Sequence, residues 1–327
     1  MYTSILVPLD GSAFADRALP VALALAHRSQ ARVILVHVVE PGFSPSEASV
    51  SGSPLDSELG AGLHQSLAAL AKLLEARHEI DIDFICLEGP VARRLEEYAC
   101  SSGAELIVMS THGQGGLSRA WLGSVADHLV RHSPVPVLLV RPGAIGTAQG
   151  EPLFRRILVP LDGSKLSEAA LEHAVTLATP GETEFTLLRV VVPQPIAHLY
   201  PARDALMRQE DREREEREAE GYLGRLCEEF AESGFAVTGK VLIHRNVARG
   251  ILDHARDHQT DMIALATRGR GGVARLLLGS VADKLLRGAR TPLLIYHPPQ
   301  TEGAGNRAVR REETATLGAP PAASTVG

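Results

Sequence analysis

A doubly wound α/β fold, written twice in tandem, is predicted for this 327-residue chain by three observations. Short Val/Ile/Leu-rich runs alternate with helical patterns, several of those runs are apolar at consecutive positions, and two blocks of sequence recur in the same order. Consecutive apolar residues mark strands buried on both faces of a parallel sheet. Strand–helix alternation with right-handed crossovers places a ligand crevice at the carboxyl ends of the strands.

The repeats settle the organisation. Ile5-Leu-Val-Pro-Leu-Asp-Gly-Ser12 returns unchanged 152 residues later as Ile157-Leu-Val-Pro-Leu-Asp-Gly-Ser164. Leu122-Gly-Ser-Val-Ala-Asp127 returns 156 residues later as Leu278-Gly-Ser-Val-Ala-Asp283. The first domain is set at 1–142 and the second at 154–298. The stretch 143–153 between them, with Gly143, Gly146 and Gly150 and no apolar period, reads as a linker. Residues 299–327 hold few large apolar side chains, cannot offset the entropy of ordering, and are expected to be a disordered tail.

In the first repeat, strands are expected at 5–8, 33–39, 83–87, 106–110 and 137–140, giving five parallel strands. Helical patterns occupy 13–28, 58–78, 91–102 and 125–132 between them. The second repeat follows, with strands at Ile157, Phe185, Val237, Met262 and Leu293. Its long helix, 204–232, is dense in Glu and Arg at i,i+3 and i,i+4 spacing, which reads as a solvated face. The fifth strands, 135–140 and 293–296, are expected at sheet edges, which invite pairing. The two copies are therefore expected to pair with each other about a pseudo-two-fold axis, and the same edges permit a homodimer of whole chains.

Composition narrows the function classes. Lys plus Arg is 33 against 39 for Asp plus Glu, a formal charge of −6, so no positive field exists to displace counterions from nucleic acid. Cys86, Cys100 and Cys227 form no CxxC pair and no disulfide framework. No basic leader precedes Asp10, and no apolar run approaches the roughly 20 residues of a membrane span. A soluble, cytoplasmic protein without membrane or nucleic-acid partners is the expectation.

Three segments converge on the crevice in each copy. Asp10-Gly11-Ser12 follows the first strand: Asp and Gly fit a tight turn, Ser12 can cap the next helix, and the Asp10 carboxylate, like that of Asp162, can accept bonds from a ligand. After the fourth strand stand Ser110-Thr-His-Gly113, nine residues, and Gly123-Ser124; the second copy has Ala266-Thr-Arg-Gly269, nine residues, and Gly279-Ser280. A glycine loop turns backbone N–H groups towards an anion, and a helix opening at Gly-Ser adds its unpaired N–H groups and positive dipole end. At the end of the second strand, Val38 and Val190 are either core or neighbours of a base.

The Pro-x-Asp turn and the small-x-x-Gly-x9-Gly-Ser spacing, present in both copies, resemble the universal stress protein family over about nine-tenths of the chain. The resemblance implies tandem five-stranded domains of the adenine nucleotide alpha hydrolase-like type that bind ATP. It implies that Pro8, Asp10, Val38 and Met109 contact adenosine, and that Ser110, His112, Gly113, Gly123, Ser124 and Val125 hold ribose and phosphates. In the second copy the adenosine contacts fall on Pro160, Asp162, Val190 and Leu265. The phosphates and ribose fall there to Ala266, Arg268, Gly269, Gly279, Ser280 and Val281. Any Mg2+ would be held by the phosphates.

The family's first glycine is Ser110 in one copy and Ala266 in the other. A positive φ there costs a side chain about 1–2 kcal/mol, whereas an extended backbone costs nothing. That departure motivates an alternative, a nucleotide-free, dimerising interaction module. An ATP-dependent ligase or nucleotidyl transferase is disfavoured by the Asp-Gly-Ser after strand one. No Gly-x4-Gly-Lys-Ser/Thr segment or carboxylate metal anchor is present. His112 has Arg268 as its counterpart, so a ligand donor suits both better than a base does. The expected function is a regulatory ATP binder of the stress response, with at most slow hydrolysis.

Overall fold

The computed structural model describes residues 1–13, 15–40, 55–111, 122–141, 153–193, 201–267 and 278–297. The expected linker and tail lie almost wholly outside them. In the first repeat the strands are β1 (Ser4–Pro8), β2 (Arg32–Val39), β3 (Ile82–Glu88), β4 (Leu106–Ser110) and β5 (Val137–Val140). The helices are α1 (Leu19–Ser29), α2 (Leu55–His78), α3 (Val91–Ser101) and α4 (Ser124–His132). The second repeat supplies β6 (Arg156–Pro160), β7 (Glu184–Val191), β8 (Ala236–Ile243), β9 (Met262–Ala266) and β10 (Leu293–Tyr296). Its helices are α5 (Lys165–Leu177), α6 (Pro201–Ala231), α7 (Val247–Asp257) and α8 (Ser280–Gly288). One expectation needs correction: the first helix does not begin near residue 13, because Ala15–Ala18 forms a 3-10 turn and α1 starts only at Leu19, with Pro20 in its first turn. A proline costs nothing there, where its missing N–H would be unpaired anyway.

All ten strands form one sheet in the order β3-β2-β1-β4-β5-β10-β9-β6-β7-β8. Neighbours are parallel within each repeat, and only β5 and β10 run antiparallel. The apolar runs alternate between two layers. Ile5 and Val7 join the cluster that packs on α1, α2, α5 and α6, whereas Leu6 points into the one beneath α3, α4, α7 and α8. Each cluster draws on both repeats, so the sheet carries one core on each face across the whole chain.

The fifth strands are the outer strands of their own repeats, but in the chain they lie at the centre of the sheet. Their register is Leu293↔Leu139, Leu294↔Leu138 and Ile295↔Val137. Since residue 294 is the counterpart of 138, the pseudo-two-fold axis passes between Leu138 and Leu294, which are 0% and 1% exposed. The strands left at the outside are β3 and β8. An intermolecular contact through β5 is therefore closed, because that edge is used within the chain. Further contacts cross the axis. Arg28 donates to Thr179 Oγ1 at 2.9 Å and to Leu177 O at the end of α5, and Tyr2 Oη meets His173 Nδ1 at 3.1 Å. Within the second repeat, the Tyr296 ring packs 4.2 Å from that of His173.

Two outcomes are expected. Leu138→Ala should cost about 2–5 kcal/mol by urea unfolding, as a buried leucine does when a cavity replaces it; a loss below about 1 kcal/mol contradicts a core at the axis. The second concerns acid. Burial holds the His173 pKa below its ordinary value, against a smaller opposing effect of Glu172. The unfolded chain then binds the proton first, so stability is complete above about pH 6.5 and falls as the pH drops below it. His173→Gln should flatten that slope in melting curves; an unchanged slope contradicts it. His254, whose pKa is also lowered by burial, contributes with the same sign and remains in the variant.

Candidate functional site

The crevice arises where two strands part. The β1–β4 ladder covers only Ile5↔Leu106 and Leu6↔Ile107, although β1 stays paired with β2 to Pro8↔Val36 and β4 with β5 to Ser110↔Val140. Beyond Ile107 the chain after β1 turns to α1 on one face and the chain after β4 leads to α4 on the other. This is the switch point at which open α/β sheets bind ligands. The second repeat repeats it: β6 and β9 pair only at Ile157↔Met262 and Leu158↔Ile263, while their outer neighbours remain paired to Pro160↔Leu188 and Ala266↔Tyr296.

Asp10 and Asp162 stand on the rim in matching turns. Asp10 Oδ1 accepts the Ser12 N–H at 2.9 Å and its hydroxyl at 2.6 Å; Asp162 Oδ1 accepts the Ser164 pair at 2.9 and 2.5 Å. Between them Gly11 and Gly163 adopt φ of 75° and 81°, the left-handed region in which glycine carries no steric cost. Ser164 Oγ accepts the Ser167 N–H and caps α5, and Ser12 Oγ accepts the Ala15 N–H at the 3-10 turn. One oxygen of each carboxylate thus holds the turn that places it.

Across the crevice lies a second anchor. Gly123 donates its N–H to Thr111 O at 3.0 Å, and Gly279 to Thr267 O at 2.9 Å. Both threonines are 1% exposed. Gly123 and Gly279 are the N-caps of α4 and α8, with φ of −59° each, so glycine is not needed for its backbone angle. Room matters at one of the two: an added Cβ would lie 3.1 Å from Thr267 O at Gly279, tighter than ordinary contact, and 3.4 Å from Thr111 O at Gly123, where it fits. Among the described residues no side chain caps either helix, and Ser124 and Ser280 are exposed at their first positions; an open helix N-terminus of this kind can receive an anion.

Ser110 and Ala266 close β4 and β9 in extended backbone, and neither is among the positive-φ residues. The steric cost considered for a side chain at the first glycine position is therefore absent. Met109 and Leu265 are buried, and Val38, Val125, Val190 and Val281 are partly buried against the same cluster, on the α3/α4 and α7/α8 side of the sheet. Pro8 and Pro160 are half-buried at the strand ends. These residues share one edge of each repeat. His112, Gly113, Arg268 and Gly269 lie outside the described residues. Sequence reasoning passed over Thr111 and Thr267, although threonine recurs at that place in both copies. A cavity of about 340 Å³ among Arg156, Glu184, Asp257 and Thr260 lies at the opposite, amino edge of the second repeat and touches none of these residues. Among the described residues no group of three His, Cys, Asp or Glu is placed to hold a metal, and no helix is long and apolar enough to cross a membrane.

With this geometry in place, comparison with known proteins adds four findings. The sequence profile of the Universal stress protein family matches residues 1–141 and, a second time, 153–297. A universal stress protein of Mycolicibacterium smegmatis is 28% identical over 315 residues, 90% of this chain and 97% of the relative. A universal stress protein of Thermus aquaticus is 34% identical over 142 residues, 43% of this chain and 100% of its own. The crystal structure of a universal stress protein from Archaeoglobus fulgidus shares the fold, with a TM-score of 0.64 at 20% identity over 90% of this chain and 98% of its own.

The two cradles differ in tolerance. Gly279→Ala should lower unfolding stability by about 1–2 kcal/mol and by more than Gly123→Ala, because only at Gly279 is the new Cβ closer than ordinary contact. Urea midpoints of the two variants decide this; the reverse order contradicts these clearances.

Proposed function

The chain belongs to the universal stress protein family, and from that premise we propose that each repeat binds one ATP at its carboxyl edge and that the protein is a regulatory nucleotide binder. One observation carries the reading: an uncapped helix N-terminus, pinned by a buried threonine carbonyl, beside parted strands, occurs twice in matched geometry. The triphosphate would lie against the first turns of α4 and α8, with Ser124 and Ser280 donating hydroxyl bonds. Adenosine would lie between Asp10 and Val38 in one repeat, and between Asp162 and Val190 in the other. Each charge-assisted bond contributes about 1.5–3 kcal/mol, so three or four of them suffice for micromolar binding, about −8 kcal/mol. Any Mg2+ rides on the phosphates.

Binding rather than turnover suits the residues. The sequence has no phosphate-loop lysine, and each rim carboxylate already serves its own turn. Hydrolysis, where it occurs, is slow. The nucleotide-free interaction module drew its support from the missing first glycines, and the extended backbone of Ser110 and Ala266 removes that support.

Equilibrium dialysis with labelled ATP tests the reading. The chain should retain about two nucleotides at micromolar strength, and Gly123→Val or Gly279→Val should each remove one. No retention at millimolar ATP overturns it.

A further inference from the structure

The two repeats are not equivalent at the residue that follows the fifth strand. In the second repeat this residue is His297, whose Nδ1 meets Thr267 Oγ1 of its own repeat at 2.8 Å. In the first it is Arg141, which crosses the pseudo-two-fold axis and donates Nη2 to Leu286 O in the last turn of α8. That carbonyl is one of the orphan acceptors at a helix C-terminus, where the dipole also favours a cation. Arg131 of α4 reaches the same helix, Nη2 lying 3.7 Å from Asp283 Oδ1. The first repeat therefore grips α8 along its length, and α8 is only nine residues long, with Gly279-Ser280 at its other end.

The guanidinium stands where water would normally serve it. Its Nε is buried and finds no hydrogen-bond partner among the described residues, and burial holds its pKa below the ordinary value. A buried cation with an unmet donor is costly unless a specific acceptor compensates for it. An apolar side chain would fill the same space without that cost, so the gain lies in the bond to α8.

We propose that Arg141, a first-repeat residue, is a positioning residue for the second repeat's nucleotide cradle: it fixes α8 from its carboxyl end and so sets affinity at Gly279-Ser280. This rests on the ATP-binding reading of that cradle. Occupancy of the second site then depends on the fusion of the two repeats, whereas the first site does not require Arg141.

The test uses the full chain with Arg141→Met and, as the conservative variant, Arg141→Lys. ATP dialysis is run in the Gly123→Val background, which leaves only the second site, and in the Gly279→Val background, which leaves only the first. Hydrogen exchange is followed across α8 and α4 without nucleotide. Arg141→Met should weaken the second site about three- to ten-fold, shift the first less than about two-fold, and speed exchange in α8 but not α4. Arg141→Lys should recover part of both effects. Equal losses at the two sites, or unchanged α8 exchange, overturn the proposal. Should the parent chain retain no ATP, the binding reading fails, while exchange in α8 still decides whether Arg141 holds the helix; if Arg141→Met does not fold, Arg141→Lys carries both measurements.

Discussion

The hydrogen bond from Gly123 to the Thr111 carbonyl, with its twin from Gly279 to Thr267, is the contact on which the candidate sites depend. It joins the residue after a central strand to the start of a helix, on the edge of the sheet where β1 and β4 part. A buried carbonyl needs a partner, and an N-cap glycine provides an N–H without a side chain in the way. Threonine burial, glycine at the cap and the missing side-chain cap are thus consequences of one arrangement. An ordinary Ser or Asp N-cap would occupy the first-turn N–H groups itself. Leaving them open is a local cost that the proposed anionic ligand would offset.

The second constraint is the axis between Leu138 and Leu294. Fusing two repeats through their fifth strands removes two edges that would otherwise invite pairing with other chains, and it merges four half-cores into two continuous ones. The interface is symmetric in its backbone register but not in its side chains. Arg28 and Arg141 both reach from the first repeat to carbonyls at the ends of second-repeat helices α5 and α8. A helix end accepts a cation readily, so such contacts arise without disturbing the sheet.

Much of this was legible in the sequence. The runs 5–8, 106–110 and 137–140 became strands with their boundaries nearly unchanged, because apolar residues at consecutive positions have no alternative to a two-sided burial. The repeated Gly-Ser pair marked the starts of α4 and α8. The start of α1 was misplaced, because Ala-rich sequence near residue 13 carries the same pattern as a helix and Pro20 marks the true first turn only once the turn before it is known. Threonine recurs at 111 and 267, but the recurrence does not disclose its role, which is played by a backbone carbonyl that every residue possesses. Arg141 was equally silent: only the antiparallel pairing of β5 with β10 brings it within reach of α8.

The central claim, that α4 and α8 grip a triphosphate with their first turns, is tested most directly by a crystal structure of the chain grown with ATP. Phosphate density against the N–H groups following Gly123 and Gly279, with adenine towards Val38 and Val190, is the expected result. Nucleotide bound elsewhere, for instance in the amino-edge cavity beside Arg156, with both helix starts empty, would contradict it.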